Sequence, residues 1–268
     1  MSRTQRRGGT SSPIKNYLQF SASTGTFNYY DKELKERVEL EELSIILLDS
    51  RGSVSGYNQA TKAQITSNLV ADVGKEVLTV MSWKDKKSTE IAKGIYKTIK
   101  PIVNPKGGKF TTNLICLADL GTGNGLEISN LQFQGSSLNG WINFLKTLDS
   151  NGEYDSVVKM TRGALSKQDG NVFSAVSAKE EADLIAKIKK NPRTPQPIWF
   201  YVMEFETEDL TEDQIVEADQ NDATVQEYFK AVGGAAKVVE SVEEVEEEEE
   251  EGTDEPVTTG EDEDEVPF

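Results

Sequence analysis

Alternation of apolar and polar positions, the mark of a half-buried strand, recurs through the first half of the chain. It predicts strands at Lys15–Phe20, Thr26–Tyr30, Leu43–Asp49, Glu76–Trp83, Ile95–Val103, Phe110–Ala118 and Leu126–Phe133. Turn-forming residues separate them: Ser-Thr-Gly at 23–25, Arg-Gly-Ser at 51–53, Asn-Pro-Lys-Gly-Gly at 104–108 and Gly-Thr-Gly-Asn-Gly at 121–125. Short strands with glycine-rich turns predict a small barrel or sandwich. The period then changes. Leu138, Trp141, Ile142, Leu145 and Leu148 share one face of a helix over Ser136–Leu148. Strands return at Tyr154–Met160 and Val172–Val176, followed by an amphipathic helix over Ala178–Lys190 that ends at Asn-Pro. Pro197–Glu206 is a strongly apolar segment, read as a central closing strand. A last helix runs over Thr211–Val232, opened by Thr211 and closed by Gly233-Gly234. The sequence contains no internal repeat.

Composition narrows the chemistry. The 268 residues include no histidine and one cysteine, Cys116. A zinc site built from His and Cys is excluded, and so are His-dependent triads and His general bases. No metal, cofactor or catalytic residue is expected. A lone cysteine closes no internal disulfide, so a reducing, cytoplasmic setting is the default. No apolar run approaches the ~18 residues of a membrane span. The opening MSRTQRRGGTSSP carries charge but no apolar core, so it does not read as a signal peptide.

The net charge of −17 conceals a division. Residues 1–203 hold 27 basic and 20 acidic side chains, whereas residues 240–268 hold 16 acidic and no basic ones. Three regions follow: a flexible basic arm at 1–13, a strand-rich body at 14–232, and an acidic tail at 233–268 that is expected to be disordered.

Two internal features bear on function. Asp119 and the glycines Gly121, Gly123 and Gly125 resemble the cofactor loop of S-adenosylmethionine-dependent methyltransferases, in which such a loop opens a helix. Here the next residues, Leu126-Glu-Ile-Ser-Asn-Leu-Gln-Phe, alternate like a strand, and a hairpin is the expectation. The second feature is aromatic residues among basic ones. Phe20, Phe27, Tyr29, Tyr30 and Tyr57 lie near Lys15, Lys32 and Arg51, and Trp83 precedes Lys84, Lys86 and Lys87. Further on, Tyr96, Lys97 and Lys100 share a segment read as a strand, with Tyr96 and Lys100 on one face as a groove wall. Unpaired bases stack on aromatic faces while Lys and Arg follow the phosphates. The candidate nucleic-acid contacts are therefore Tyr29, Arg51, Tyr57, Trp83, Lys84, Lys86, Lys87, Tyr96, Lys97 and Lys100, with Trp83 foremost.

The final residues, Glu261-Asp-Glu-Asp-Glu-Val-Pro-Phe268, resemble the C-terminal tip of bacterial single-stranded DNA-binding proteins. Single-strand binding proteins of phages share the layout of body and acidic tail, and the length of this chain is closer to theirs. The resemblance implies an OB-fold-like β-barrel with helical insertions that coats and protects single-stranded DNA in replication, recombination and repair. It further implies that Val266, Pro267 and Phe268 anchor in a pocket on replication or repair proteins, with Asp262, Glu263, Asp264 and Glu265 as the electrostatic partner. The expected setting is then the host cytoplasm of a virus; a homo-oligomer is compatible with the sequence, and no membrane partner is expected. Two other readings stand beside it: a methyltransferase using the glycine loop, and an acidic-tailed chaperone or DNA mimic.

Overall fold

A computed structural model describes residues 11–32, 34–123, 125–149, 152–169, 172–177, 179–183 and 198–233. Most of the basic arm, the second half of the helix expected to end at Lys190, and the acidic tail lie outside these residues. Two antiparallel meanders come first in the chain: β1 (Asn16–Ser21), β2 (Thr26–Asp31) and β3 (Glu36–Leu40), then β4 (Glu42–Asn58), β5 (Ala63–Ser67), β6 (Leu78–Lys84) and β7 (Lys87–Gly94). Helix α1 (Tyr96–Val103) and a 3-10 turn at Asn104–Lys106 lead into the hairpin β8 (Gly108–Asp119) and β9 (Leu126–Phe133). Helix α2 (Ser136–Leu145) precedes β10 (Ser156–Asp169), β11 (Val172–Ala175), β12 (Ile198–Asp209) and the final helix α3 (Glu212–Gly233).

These strands form one mixed, open sheet in the order β3-β2-β1-β9-β8-β4-β5-β6-β7, with β10 also on β4, and with β11 and β12 on β10. Only the β1–β9 ladder is parallel among the described pairings. The long strand β4 is where the sheet divides. One side of it pairs with β8 from Ile45 to Gly56. On the other side its first residues, Glu42–Ile46, pair with β10, and its last, Ser55–Asn58, pair with β5.

Alternation along the strands sorts their side chains between two faces. The inner face carries two apolar clusters. In the first, Leu18, Ile45, Leu114, Leu131 and Phe133 are covered by α2, whose Trp141 is 2% exposed. The Trp141 ring lies 5.8, 5.4 and 5.9 Å from the rings of Phe133, Phe144 and Phe205. In the second, Val54, Ile65, Leu78 and Val80 lie under Tyr96, Ile99 and Val103 of α1. The outer face is apolar at one end only. There Ile46, Leu48, Ile115, Leu117 and Ile128 pack under α3 through Val225 and Phe229. That helix opens with a capping box: Gln214 N–H donates to Thr211 Oγ1 at 3.3 Å, and Thr211 N–H donates to Gln214 Oε1 at 3.0 Å. No described helix is long and apolar enough to cross a membrane.

The structure corrects five expectations. Arg51-Gly-Ser is not a turn, because β4 runs straight through it. Gly52 is small there for a packing reason: a Cβ at that position would sit 2.2 Å from Val73 Cγ1. Ile95–Val103 is not a strand. Tyr96, Ile99 and Val103 bury at helical spacing, and over so short a segment the two periods cannot be told apart. The apolar strand β12 is not central, since it pairs with β10 alone among the described strands. Finally, β3, β5 and β7 were not anticipated; they are short, and β3 and β7 are mostly polar and exposed, while β5 buries only Ala63 and Ile65. The first helix after β9 is also shorter than expected, ending at Leu145.

Candidate nucleic-acid interface

The polar part of the outer face can be followed strand by strand through the register. Gln19 of β1 pairs with Gln132 of β9, Gln132 with Asn113 of β8, and Asn113 with Arg51 of β4. Alternate residues of β4 place Ser53, Ser55 and Tyr57 on the same side. Tyr57 pairs with Gln64, Gln64 with Trp83, and Trp83 with Ser88. Towards the other edge Tyr17 pairs with Asn130. Tyr30 lies beside Tyr17, because their inner-face neighbours Tyr29 and Leu18 are partners. Four aromatic side chains are exposed among the described residues: Tyr17 (54%), Tyr30 (58%), Tyr57 (46%) and Trp83 (46%). All four stand on this one face. Tyr57 and Trp83 are two strands apart, which is roughly 10 Å.

Between the rings the floor is built of amides and hydroxyls held in fixed orientations. Asn113 Nδ2 donates to Ser53 Oγ at 2.8 Å, and Asn113 Oδ1 accepts from Asn130 Nδ2 at 3.2 Å and Gln132 Nε2 at 3.1 Å. Gln19 Nε2 donates to Gln132 Oε1 at 3.0 Å, while Gln134 Nε2 reaches Thr111 Oγ1 at 3.1 Å. The Ser55 and Thr111 hydroxyls are 2.7 Å apart. Asn130 Oδ1 is buried and accepts no hydrogen bond from the described residues. Basic groups on the face include exposed Lys109, which pairs with Ser55, and Arg37, which pairs with Tyr30 and donates to Asn28 Oδ1.

The residues singled out in the sequence are divided by the fold. Tyr57 and Trp83 lie on the outer face, as described. Tyr29, 4% exposed, and Tyr96, 7% exposed, are core residues. Burial, then the charges of Asp31 and Glu127, raises the Tyr29 phenol above its ordinary value. The expected groove wall of Tyr96 and Lys100 disappears with the strand that carried it. Arg51 is on the right face but is engaged: it pairs with Asp49 at 2.8 Å, and its guanidinium lies 3.9 Å from the centre of the Phe229 ring of α3. Gln226 Nε2 donates to the same Asp49 carboxylate at 3.3 Å. Arg51 thus anchors α3 to the sheet. Lys84 and Lys87 pair with each other across the β6–β7 turn and point to the inner-face side, away from Trp83. They line a groove of about 570 Å³ with Lys106, while Lys86 stands in the turn itself. Lys97 and Lys100 are on α1, which covers the inner face. Asp262 to Phe268 lie outside the described residues.

Tyr17 and the amide floor were missed in the sequence. Their signal was available in β1, where Tyr17 and Gln19 alternate with buried Leu18 and Phe20. The glycine loop joins two antiparallel strands, with Asp119 opposite Leu126, and opens no helix. Nothing lies within 4 Å of a Cβ built at Gly121, Gly123 or Gly125. These glycines serve positive φ angles of 69, 80 and 74° in a hairpin turn, as expected, and the strand-to-helix context of a methyltransferase loop is absent. Cys116 is fully buried in the first core cluster, and burial pushes its thiol up to about 12. It is expected to resist a thiol reagent at pH 8 until the chain is unfolded in denaturant; equal labelling rates in both states would show that the β8 core opens readily. Comparison with family models, with curated proteins and with solved structures finds no match to this chain.

Proposed function

We propose that this protein binds single-stranded DNA across the outer face of its sheet, with bases stacked on Tyr17, Tyr30, Tyr57 and Trp83 and the backbone following Lys109 and Arg37. The observation that carries this reading is that the four exposed aromatic rings share one face, over a floor of oriented amides. Stacked bases would cover four rings that the fold leaves about half exposed. Stacking is available only to unpaired bases, and it is tolerant of sequence because every base has a π-face. The protein is on this reading a binding protein and not an enzyme, one that coats and protects exposed strands in replication, recombination or repair. Residues 262–268 would recruit partner proteins, as the resemblance of the tip implies.

An OB-fold-like closure is the matching proposal for the strands around the first apolar cluster. Strands β1, β9, β8, β4, β10 and β12 follow one another round the Trp141 cluster. Tyr201 N–H of β12 donates to Ala22 O, just beyond β1, at 2.7 Å. This bond supports a sheet that curls until its two sides meet.

The test is binding to fluorescent oligo(dT) by anisotropy over a salt series, beside a duplex of equal length. Affinity for oligo(dT) is expected to fall steeply with salt, with a log–log slope of ~0.7 per phosphate contact. Duplex is expected to bind far more weakly, because its bases offer no free face. Equal affinity for duplex, or no binding to oligo(dT), would overturn the proposal.

A further inference from the structure

A small cavity of about 180 Å³ opens on the outer face, two residues along β1 from Tyr17 and two residues along β4 from Tyr57. It is smaller than the ~300–1,000 Å³ of drug-sized ligand clefts and suits a single flat ring. Gln19, Ser55, Thr111, Gln132, Gln134 and Ser137 line most of it. The direction of each amide is fixed by main-chain carbonyls, which only accept. Asn113 Nδ2 donates to Arg51 O and to Thr111 O, each at 3.3 Å, so Asn113 Oδ1 points away from them, at Gln132. Gln132 meets that oxygen with its Nε2 at 3.1 Å, which turns its own Oε1 towards Gln19. Gln19 donates Nε2 to it at 3.0 Å. Gln134 Nε2 lies 3.1 Å from Ser55 O and 3.5 Å from Lys109 O, which fixes that amide too. All three glutamine nitrogens are thus spent on the protein. Among the described residues Gln19 Oε1 and Gln134 Oε1 accept no hydrogen bond, and Gln132 Oε1 accepts one and keeps a second lone pair. The hydroxyls hold no spare donor. Ser137 Oγ donates to Gln134 O at 2.9 Å and Thr111 Oγ1 to Lys109 O at 3.4 Å, which leaves Ser55 to donate to Thr111 at 2.7 Å. The cavity is therefore lined by acceptors.

We infer that this cavity takes the Watson–Crick edge of one base, and that it selects bases with an exocyclic amino group (adenine, cytosine or guanine) over thymine and uracil. The inference rests on the DNA-binding reading and adds base selectivity to it. Stacking on the exposed rings is indifferent to base identity, whereas an edge contact is not. Amide oxygens open to solvent are hydrated, and a ligand that covers them has to donate in place of that water. An exocyclic amino group brings two N–H bonds to the three glutamine oxygens. Thymine and uracil carry a single N–H on that edge, flanked by two carbonyl oxygens. Their approach to one glutamine oxygen therefore sets lone pairs against its neighbours, and the acceptors left uncovered by a donor count against binding.

Oligo(dC) and oligo(dU) of equal length test this, because the two bases differ only in the exchange of amino for carbonyl at C4 and in the proton on N3. Anisotropy titrations of the full chain are run at slightly alkaline pH, where cytosine is uncharged. Oligo(dC) is expected to bind roughly 5- to 160-fold more tightly, the discrimination that one well-placed edge contact supplies. Gln19→Ala and Gln134→Ala are each expected to bring the ratio of the two affinities down towards one. Gln19 is exposed, so its truncation leaves the core packing untouched. Equal binding of the two oligonucleotides by the unaltered chain would overturn the inference and leave the DNA-binding reading standing. No binding of either would overturn that reading and the inference with it. A preference for oligo(dC) that both variants keep in full would assign it to stacking on the rings, and would overturn the inference as well.

Discussion

Replacing Tyr57 and Trp83 together with alanine is expected to weaken oligo(dT) binding by roughly 30- to 25,000-fold while leaving the fold intact. Each ring that loses a stacked base costs ~1–3 kcal/mol. The two rings are two strands apart and flank the same residue, Gln64, so the two losses are expected to add except for any coupling through it, which a double-mutant cycle measures. Both side chains are 46% exposed and belong to none of the three apolar clusters, so truncation removes little buried area. The single variants should each account for about half of the loss on a logarithmic scale. Anisotropy titrations alongside urea unfolding separate the outcomes. Binding that falls only in step with stability, or a double variant that binds as wild type, would mean that these rings do not meet bases. Tryptophan emission gives a second check. Of the other two tryptophans Trp141 is buried and Trp199 half-buried, so most of the quenching by oligo(dT) is expected to be lost in Trp83→Phe.

Trp141→Ala is expected to be the most damaging single change to stability, at about 3–5 kcal/mol. The indole is enclosed by Phe133 of the sheet, Phe144 of its own helix and Phe205 of β12. Its loss leaves a cavity between α2 and the sheet that rigid strands cannot collapse to fill. Phe144 and Phe205 stack at 4.6 Å with an interplanar angle of 11°, and that pair would lose its support on one side. Against a typical total of 5–15 kcal/mol, such a loss brings the protein near its unfolding threshold. A fall in melting temperature of roughly 6–20 °C follows. A change below ~1 kcal/mol in denaturant unfolding would show that α2 is a loosely held insertion and not the lid of the main core.

How much of this was legible in the sequence depended on which residues made the turns. The hairpin at 121–125 was readable because three glycines supply its positive φ angles. Four other positive-φ positions fall on Lys35, Lys62, Asp85 and Lys86, which carry no such signal; strands β3, β5 and β7 border those turns, and all three were missed. Gly52 misled in the opposite direction, since its small size serves the close approach of Val73 and not a turn. The binding face was harder still. Alternation shows which residues of one strand share a face, but not which face of the next strand joins it. That is set by register, and register slips at the irregularities between Leu47 and Asp49 and between Val80 and Met81. Trp83 and Lys84, neighbours in one strand, project to opposite sides of the sheet by alternation alone, so the lysine next to the exposed ring does not share its face.

The parallel ladder of β1 on β9 has a bearing on how the chain is made. Asn16 finds its partner in Ser129, and Gln19 in Gln132, about 110 residues later. At a synthesis rate of ~5–20 residues per second, the β1–β3 meander leaves the ribosome roughly 6–22 seconds before the strand that completes it. During that interval the edge of β1 is an open template, with Leu18 and Phe20 lacking most of their core. The newborn protein can then mispair with its own sisters on a crowded polysome, and a chaperone that shields residues 16–31 is expected to raise the yield of folded chain.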